Sequence, residues 1–388
     1  MKGHIRERSS GRWAIILDTH DPETGKRKRK WHKFKGTKRQ AQDECARLIT
    51  EMKGGVYLEP NKTTVAQFLG RWLEHIKPNV SPRTHERYTE IATKNLSPLL
   101  GTVILTKLTP IQISAAYATA LTSGRRNGKG GLSPRTVHHL HRVLNSALRQ
   151  AVRWGLLNRN PADLDKKDRP KVERKAVATI DATASVELLE AARERRLFIP
   201  ILLGTLCGLR RGEITALRWN SIDLDRGQLA VIASTEQTRS GAREKEAKSS
   251  KCRTIALPAL AIEELRRHRA AQAEELLQLG VRPDRETHVV TQADGSPLLP
   301  NSLTYSVVQF MKGRGSKLRL HGLRHSHASH LLAANVHPKI VQERFGHSSV
   351  AVTMDIYSHL MPNMQADAAA CVDDAFRLVQ KSARDAVR

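Results

Sequence analysis

The sequence predicts an α+β chain, mainly α. It should hold a small N-terminal sheet-plus-helix module, a helical domain, and a mixed, mostly helical C-terminal domain with a small antiparallel sheet. Three observations lead there. A length of 388 residues suits two or three domains. Four Ser/Thr helix-start signals recur between residues 64 and 136. Strand-like runs are confined to residues 13–34 and to two short clusters at 229–232 and 254–257.

The first module spans residues 1–58. Trp13-Ala14-Ile15-Ile16-Leu17 reads as a strand, and Asp21-Pro22-Glu23-Thr24-Gly25 as a turn. Lys26 to Phe34 reads as a second or third strand carrying Trp31. Gly36-Thr37-Lys38 opens a helix to about Met52 with Ala41, Cys45 and Leu48 on one face. Trp13 and Trp31 are expected in its core, with Lys28, Arg29, Lys30 and Lys33 around them available to a polyanion.

A polar link at 59–63 leads to a helical domain over 64–165. Thr64-Val65-Ala66-Gln67 has the form of a capping box, and Phe68, Leu69, Trp72 and Ile76 continue its helix. Ser81-Pro82-Arg83-Thr84, Thr109-Pro110-Ile111-Gln112 and Ser133-Pro134-Arg135-Thr136 start three more, each with proline at the first helical position. Val137, Leu140, Leu144, Leu148 and Val152 form the apolar stripe of the last. Gly124 to Gly131 reads as a flexible basic loop. Asp163 to Lys175, charged and proline-bearing, reads as a linker.

The third domain spans 175–388. Ser185 to Arg196 is amphipathic, and Leu197 to Leu206 is expected to be a buried helix despite Pro200. Strands are expected at 229–232 and 254–257, joined by a basic hairpin tip from Arg239 to Lys251. Leu260 to Leu279 reads as a helix ended by Gly280. Helices around His321–His327, from Pro338, and around Tyr357 complete the domain, and residues 365–388 have helical tendency.

The formal net charge is +27, from 65 Lys+Arg against 38 Asp+Glu. That excess points to a polyanionic partner, nucleic acid before an anionic membrane surface. Cys45, Cys207, Cys252 and Cys371 are scattered without a C-x-x-C pair, as free thiols of a cytoplasmic protein are. The early charges exclude a signal h-region, and the longest apolar run, Leu197 to Leu209, is too short to span a bilayer.

Candidate chemistry gathers in two stretches. In His321-Gly322-Leu323-Arg324 the imidazole and the guanidinium are three residues apart, on one face of a helix, where they can grip a phosphate. Gly346-His347 and then Tyr357 follow. In Gly208-Leu209-Arg210-Arg211-Gly212-Glu213 a turn leads into a buried helix, and Glu213 is spaced to hold an arginine at the helix start. A tyrosine hydroxyl brought to a phosphate held by such donors completes a phosphoryl-transfer site without a metal. No Gly-rich nucleotide loop is present.

Gly-Leu-Arg-x-Gly-Glu, a hairpin lysine, His-x-Leu-Arg-His, Gly-His and Tyr, in that order, resemble the tyrosine recombinase (phage integrase) family over roughly the last half of the chain. The resemblance implies an arm-type DNA-binding module at 1–58, a core-site-binding domain at 64–165 and a catalytic domain with a C-terminal tail at 175–388. It implies that Tyr357 attacks the phosphorus to form a 3′-phosphotyrosine, and that Arg210 and Arg324 hold the non-bridging oxygens. His321 and His347 would donate hydrogen bonds, Lys248 would protonate the leaving 5′-hydroxyl, and Glu213 would support Arg210. Lys245 and Lys251 compete with Lys248, Arg211 with Arg210, and His325, His327 and His330 with His321. Lys28, Arg29, Lys30, Lys33, Arg83 and Arg135 are the expected DNA contacts. The implied activity is site-specific integration or excision of a phage or integrative element. It would use double-stranded attachment sites, a homotetramer on DNA, a host DNA-bending protein or excision factor, and no cofactor, in the cytoplasm at the nucleoid. The rivals are a type IB topoisomerase and a DNA-binding regulator with a decayed catalytic domain.

Overall fold

The computed structural model describes residues 2–20, 27–53, 62–165, 169, 171–172, 178–246 and 252–346, with short pieces at 349–351, 354, 369–370, 372–374 and 376–377. The chain divides into two compact units, 1–174 and 175–388.

The first unit opens with an antiparallel sheet of β1 (Lys2–Ser9), β2 (Arg12–His20) and β3 (Arg27–Lys35), followed by α1 (Lys38–Lys53). β1 was not legible in the sequence. Its apolar alternation reduces to Ile5, because the residues between are charged or polar. Ile15 and Leu17 of β2 pack with Cys45 and Leu48 of α1, and Ile5 and Phe34 close the cluster. Register places His4, Ile16 and Trp31 in one row, and Arg6, Ala14 and Lys33 in the next, on the opposite face. The expectation of a two-tryptophan core is therefore corrected. Trp13 is half-buried and donates its indole N–H to the Gly36 carbonyl (3.0 Å), whereas Trp31 is 51% exposed with the Arg8 guanidinium over its ring. Strand parity decides this: 31 pairs with 16, and 16 faces away from α1.

The helical part comprises α2 (Val65–Ile76), α3 (Pro82–Ile91), a π-helical turn at Ala92–Leu96, α4 (Ser97–Leu100), α5 (Pro110–Ser123) and α6 (Pro134–Arg153). All four helix starts carry their caps. Thr64 accepts from the Gln67 amide and Thr109 from that of Gln112, and both glutamines answer in kind; Ser81 and Ser133 accept from Thr84 and Thr136. Phe68, Trp72, Ile113, Leu140 and Leu144 are buried in one core. The glycine-rich basic loop is tied down, with Arg125 Nε donating to the Gly131 carbonyl (2.8 Å) and Arg126 paired to Glu90 (2.8 Å).

The second unit contains α7 (Ala182–Ala192), α8 (Phe198–Leu206), α9 (Arg211–Ala216), β4 (Ile222–Asp223), β5 (Gln228–Val231), β6 (Ala233–Thr238), β7 (Gly241–Glu246), β8 (Arg253–Ala256), α10 (Ala259–Gln278), α11 (Pro300–Gly313), α12 (Leu320–Ala333) and α13 (Pro338–Phe345). β4, β5 and β8 form one antiparallel sheet, and β6 and β7 a separate hairpin. Of the basic stretch expected as a long tip, residues 241–246 are the strand β7, paired from Ala233↔Glu246 to Thr238↔Gly241, and residues 247–251 lie outside the described residues. Pro200 is accommodated because it lies in the first turn of α8, where its missing N–H costs nothing. The segment entering the unit is stitched to α12: the Ile180 amide donates to Ser326 Oγ (2.9 Å) and His330 Nε2 donates to the Ile180 carbonyl (3.0 Å). Among the described residues no helix is long and apolar enough to cross a membrane.

Candidate active site

α8 ends at Cys207, and Gly208 turns the chain at φ +65°, a left-handed conformation that favours glycine. A Cβ there would meet His327 at 2.8 Å and Phe345 at 3.1 Å. Arg210 is extended and stands before the first residue of α9. Gly212 lets α9 approach β6, since a Cβ would come within 2.7 Å of the Thr235 carbonyl. The motif glycines are thus explained by a turn and a close contact.

Glu213, buried in the first turn of α9, organises what surrounds it. It accepts from the Arg210 amide (2.8 Å) and from Arg210 Nη1 (2.8 Å). Arg253, at the start of β8, forks onto the same carboxylate at 2.9 and 2.6 Å. Arg324 Nη1 lies 4.0 Å from it. Burial would raise the Glu213 carboxyl, but the bonds and charges of Arg253 and Arg210 outweigh burial and hold it at about 2.

Arg324 is 2% exposed. It donates to the Gly208 carbonyl (2.5 Å) and the Phe345 carbonyl (2.6 Å), with the Phe345 ring 4.3 Å beneath its guanidinium. Arg210 also donates to the Gly346 carbonyl (3.3 Å). Gly346 itself ends α13 at φ 60°. Arg211, by contrast, turns to Thr304 (2.8 Å) and Asn301 on α11.

Of the four histidines on α12, only His321 is exposed. His325 is buried edge-on to the His321 ring (centroids 4.6 Å), and burial, then His321 and Arg324, push it down to about 4. His327 accepts from Arg344 Nε (2.9 Å), and burial, then Arg344, push it down to about 3. His330 is held by Ile180. His321, closely surrounded although its edge reaches solvent, titrates below its usual range through lost hydration and then the charges of Arg324 and Arg210. It is neutral at neutral pH and has one N–H to donate.

Three guanidiniums and one carboxylate leave surplus positive charge beside an exposed imidazole. The arrangement is suited to an anion of phosphate size. Among the described residues, no group of three His, Cys, Asp or Glu is placed to hold a metal ion.

Structure brings together Arg210, Glu213, His321 and Arg324. Lys248, His347 and Tyr357 lie outside the described residues, as does Lys251. Lys245 lies in β7 opposite Ser234. Arg29 and Lys33 lie on the sheet face away from α1, with Arg29 paired to Asp18 (3.3 Å), while Lys30 is half-buried in the row of Leu17. The backbone of Lys28 pairs with Thr19, and its side chain is outside the described residues. Arg83 and Arg135 are exposed in the first turns of α3 and α6. Arg253 was missed. Its signal was available: it precedes buried Ile255 by two residues in a strand, so it shares the inward face.

A model of the phage integrase family matches residues 177–364, and one of the phage integrase N-terminal SAM-like domain matches residues 64–119. The chain belongs to the phage integrase family. These tyrosine recombinases are enzymes that cleave and rejoin DNA, and this chain is one of them. It is 27% identical to a tyrosine recombinase XerC-like protein of Caldanaerobacter subterraneus subsp. tengcongensis, over 94% of this chain and 96% of the relative. It is 25% identical to the ICEBs1 integrase of Bacillus subtilis, over 95% and 99%. The structure of the Tn1549 transposon integrase in complex with transposon right end DNA shares the fold. The TM-score is 0.66 at 18% identity, over 76% of this chain and 94% of that one.

Proposed function

We propose that this tyrosine recombinase is the integrase of a mobile element and acts through a covalent 3′-phosphotyrosine on Tyr357. One observation carries the reading: Arg210 and Arg324 meet at a single carboxylate, with His321 exposed beside them. In this reading the scissile phosphate sits against those guanidiniums. The Tyr357 oxygen attacks phosphorus, and the bond to the 5′-oxygen breaks. Lys248 gives that oxygen its proton, while His321 and His347 donate to the non-bridging oxygens and the free ring nitrogen of one of them takes the proton of the Tyr357 hydroxyl. A phenol pKa near 10 makes phenoxide a good leaving group. The linkage therefore stores the energy of the broken bond, and a second 5′-hydroxyl reverses the step without ATP.

The likeness to the ICEBs1 and Tn1549 integrases supports a mobile-element role. The module at 1–58 would hold arm-type DNA on the face of Arg6, Arg29, Trp31 and Lys33, and the domain at 64–165 would hold the core site through the helix starts of Arg83 and Arg135. One site cuts one strand and exchange needs four cuts, so four subunits act at two duplexes on the nucleoid, aided by a bending protein or excision factor.

The test is a nicked duplex bearing a site selected from a random library by binding to the full chain. The wild type forms a covalent protein–DNA adduct and Tyr357→Phe does not. An adduct that persists in Tyr357→Phe removes the nucleophile, and relaxation of supercoiled plasmid without such sites favours a topoisomerase.

A further inference from the structure

We infer that Arg253 is a positioning residue for strand cleavage, locking the strand that follows the hairpin lysines to both Arg210 and the turn at Gly346. The inference rests on the reading of the site given under Proposed function.

The geometry is specific. Arg253 is the first residue of β8, and residues 247–251, which include Lys248, immediately precede Cys252. Its side chain is 14% exposed. Both terminal nitrogens donate to Glu213, at 2.9 and 2.6 Å, in the forked geometry that only arginine offers a carboxylate. Its Nε donates to the Arg344 carbonyl (3.0 Å) in the last turn of α13. Its stem also lies against Gly346, where a Cβ would come within 3.2 Å of Arg253 Cδ. One guanidinium thus spans three elements: β8, α9 with Arg210 at its start, and the α13 end that leads into His347. Arg344 ties α13 to β8 through the Ala256 carbonyl (2.9 Å) but does not reach Glu213 in this way. Arg210 holds Glu213 and the Gly346 carbonyl, but not β8.

The residue does not itself face the phosphate in this account. It acts by fixing where Glu213 puts Arg210 and where β8 delivers the lysine. Misplacing a reacting group by about an ångström costs cleavage on the order of 100-fold. It also keeps Glu213 ionised. The charges facing that carboxylate are Arg210 beside α9, Arg253 on β8 and Arg324 on α12. Removing Arg253 takes away the largest of the influences that lower the Glu213 carboxyl and leaves burial, which raises it, opposed by Arg210 alone among the groups that lower it most.

The experiment uses the full chain as wild type, Arg253→Lys and Arg253→Gln on the nicked duplex described above, under single turnover. Duplex affinity, melting temperature and the pH profile of cleavage are measured in parallel. The lysine variant keeps the charge and guards against a glutamine variant that fails to fold. Expected is a fall in adduct formation of about 100-fold with duplex affinity changed less than about threefold, together with a new acidic limb in the pH profile of Arg253→Gln. Cleavage at the wild-type rate in Arg253→Lys overturns the inference. So does a loss of cleavage, affinity and melting temperature together with an unmoved pH profile, because that marks a purely structural role. A wild type that forms no Tyr357-dependent adduct instead overturns the functional reading, and this inference with it.

Discussion

Arg324 and Phe345 are joined twice: the guanidinium lies 4.3 Å over the ring, and Nη2 donates to the Phe345 carbonyl at 2.6 Å. With the Gly208 carbonyl as a further acceptor, the side chain is fixed before any substrate arrives. A lysine has neither the fork nor the flat face. Arg324→Lys should therefore reduce adduct formation by at least about 100-fold. It should also cost about 2–4 kcal/mol of stability, because two buried carbonyls lose their donor. Single-turnover cleavage and chemical denaturation measure the two effects separately.

Gly208 offers a purely steric prediction. Its φ of +65° and the 2.8 Å approach of His327 to any Cβ leave no room for alanine. Gly208→Ala should destabilise the second unit by about 2 kcal/mol or more and slow cleavage, since the turn delivers Arg210. Gly280→Ala is the control: its φ is +74° but nothing crowds it, so the cost should be about 1 kcal/mol. Denaturation midpoints compare the two.

Acidification should loosen the second unit. His325 and His327 are pushed down to about 4 and about 3, by burial first, from the usual 6.5. Their folded values lie below the unfolded one, so the unfolded chain binds more protons as pH drops. The stability they contribute is full above about 6.5 and is lost progressively as pH falls toward the folded values. The melting temperature should fall by roughly 5–10 °C from pH 7.5 to 5. His327→Gln should flatten that dependence, which thermal scans across buffers will register.

The N-terminal sheet gives a salt test. Lys33 lies on the face away from α1, whereas Lys30 lies in the row of Leu17. If the outer face meets phosphate, Lys33→Ala should reduce the slope of log K against log salt by about one, and Lys30→Ala by much less. Equal effects from both would place DNA elsewhere on the module.

The helix starts were readable because capping is local: a Ser or Thr and the residue three places on suffice, as at Thr64 and Gln67. Arg210 and Glu213 were readable for the same reason. Pairings between distant segments were not. Trp31 looks like core until the register sets it opposite Ile16, and β1 hides its single inward Ile5 among charges. Arg253 looks like one more cation of a basic hairpin until β8 is laid against β5 and the carboxylate of Glu213 appears beside it.

The stitching of Ile180 to α12 has a practical corollary. A fragment of the second unit starting at residue 181 would strip Ser326 of its amide donor and His330 of its acceptor, on the very helix that carries His321 and Arg324. A cut only a few positions earlier keeps both. Where the polypeptide is trimmed should therefore decide whether an isolated C-terminal piece retains its chemistry.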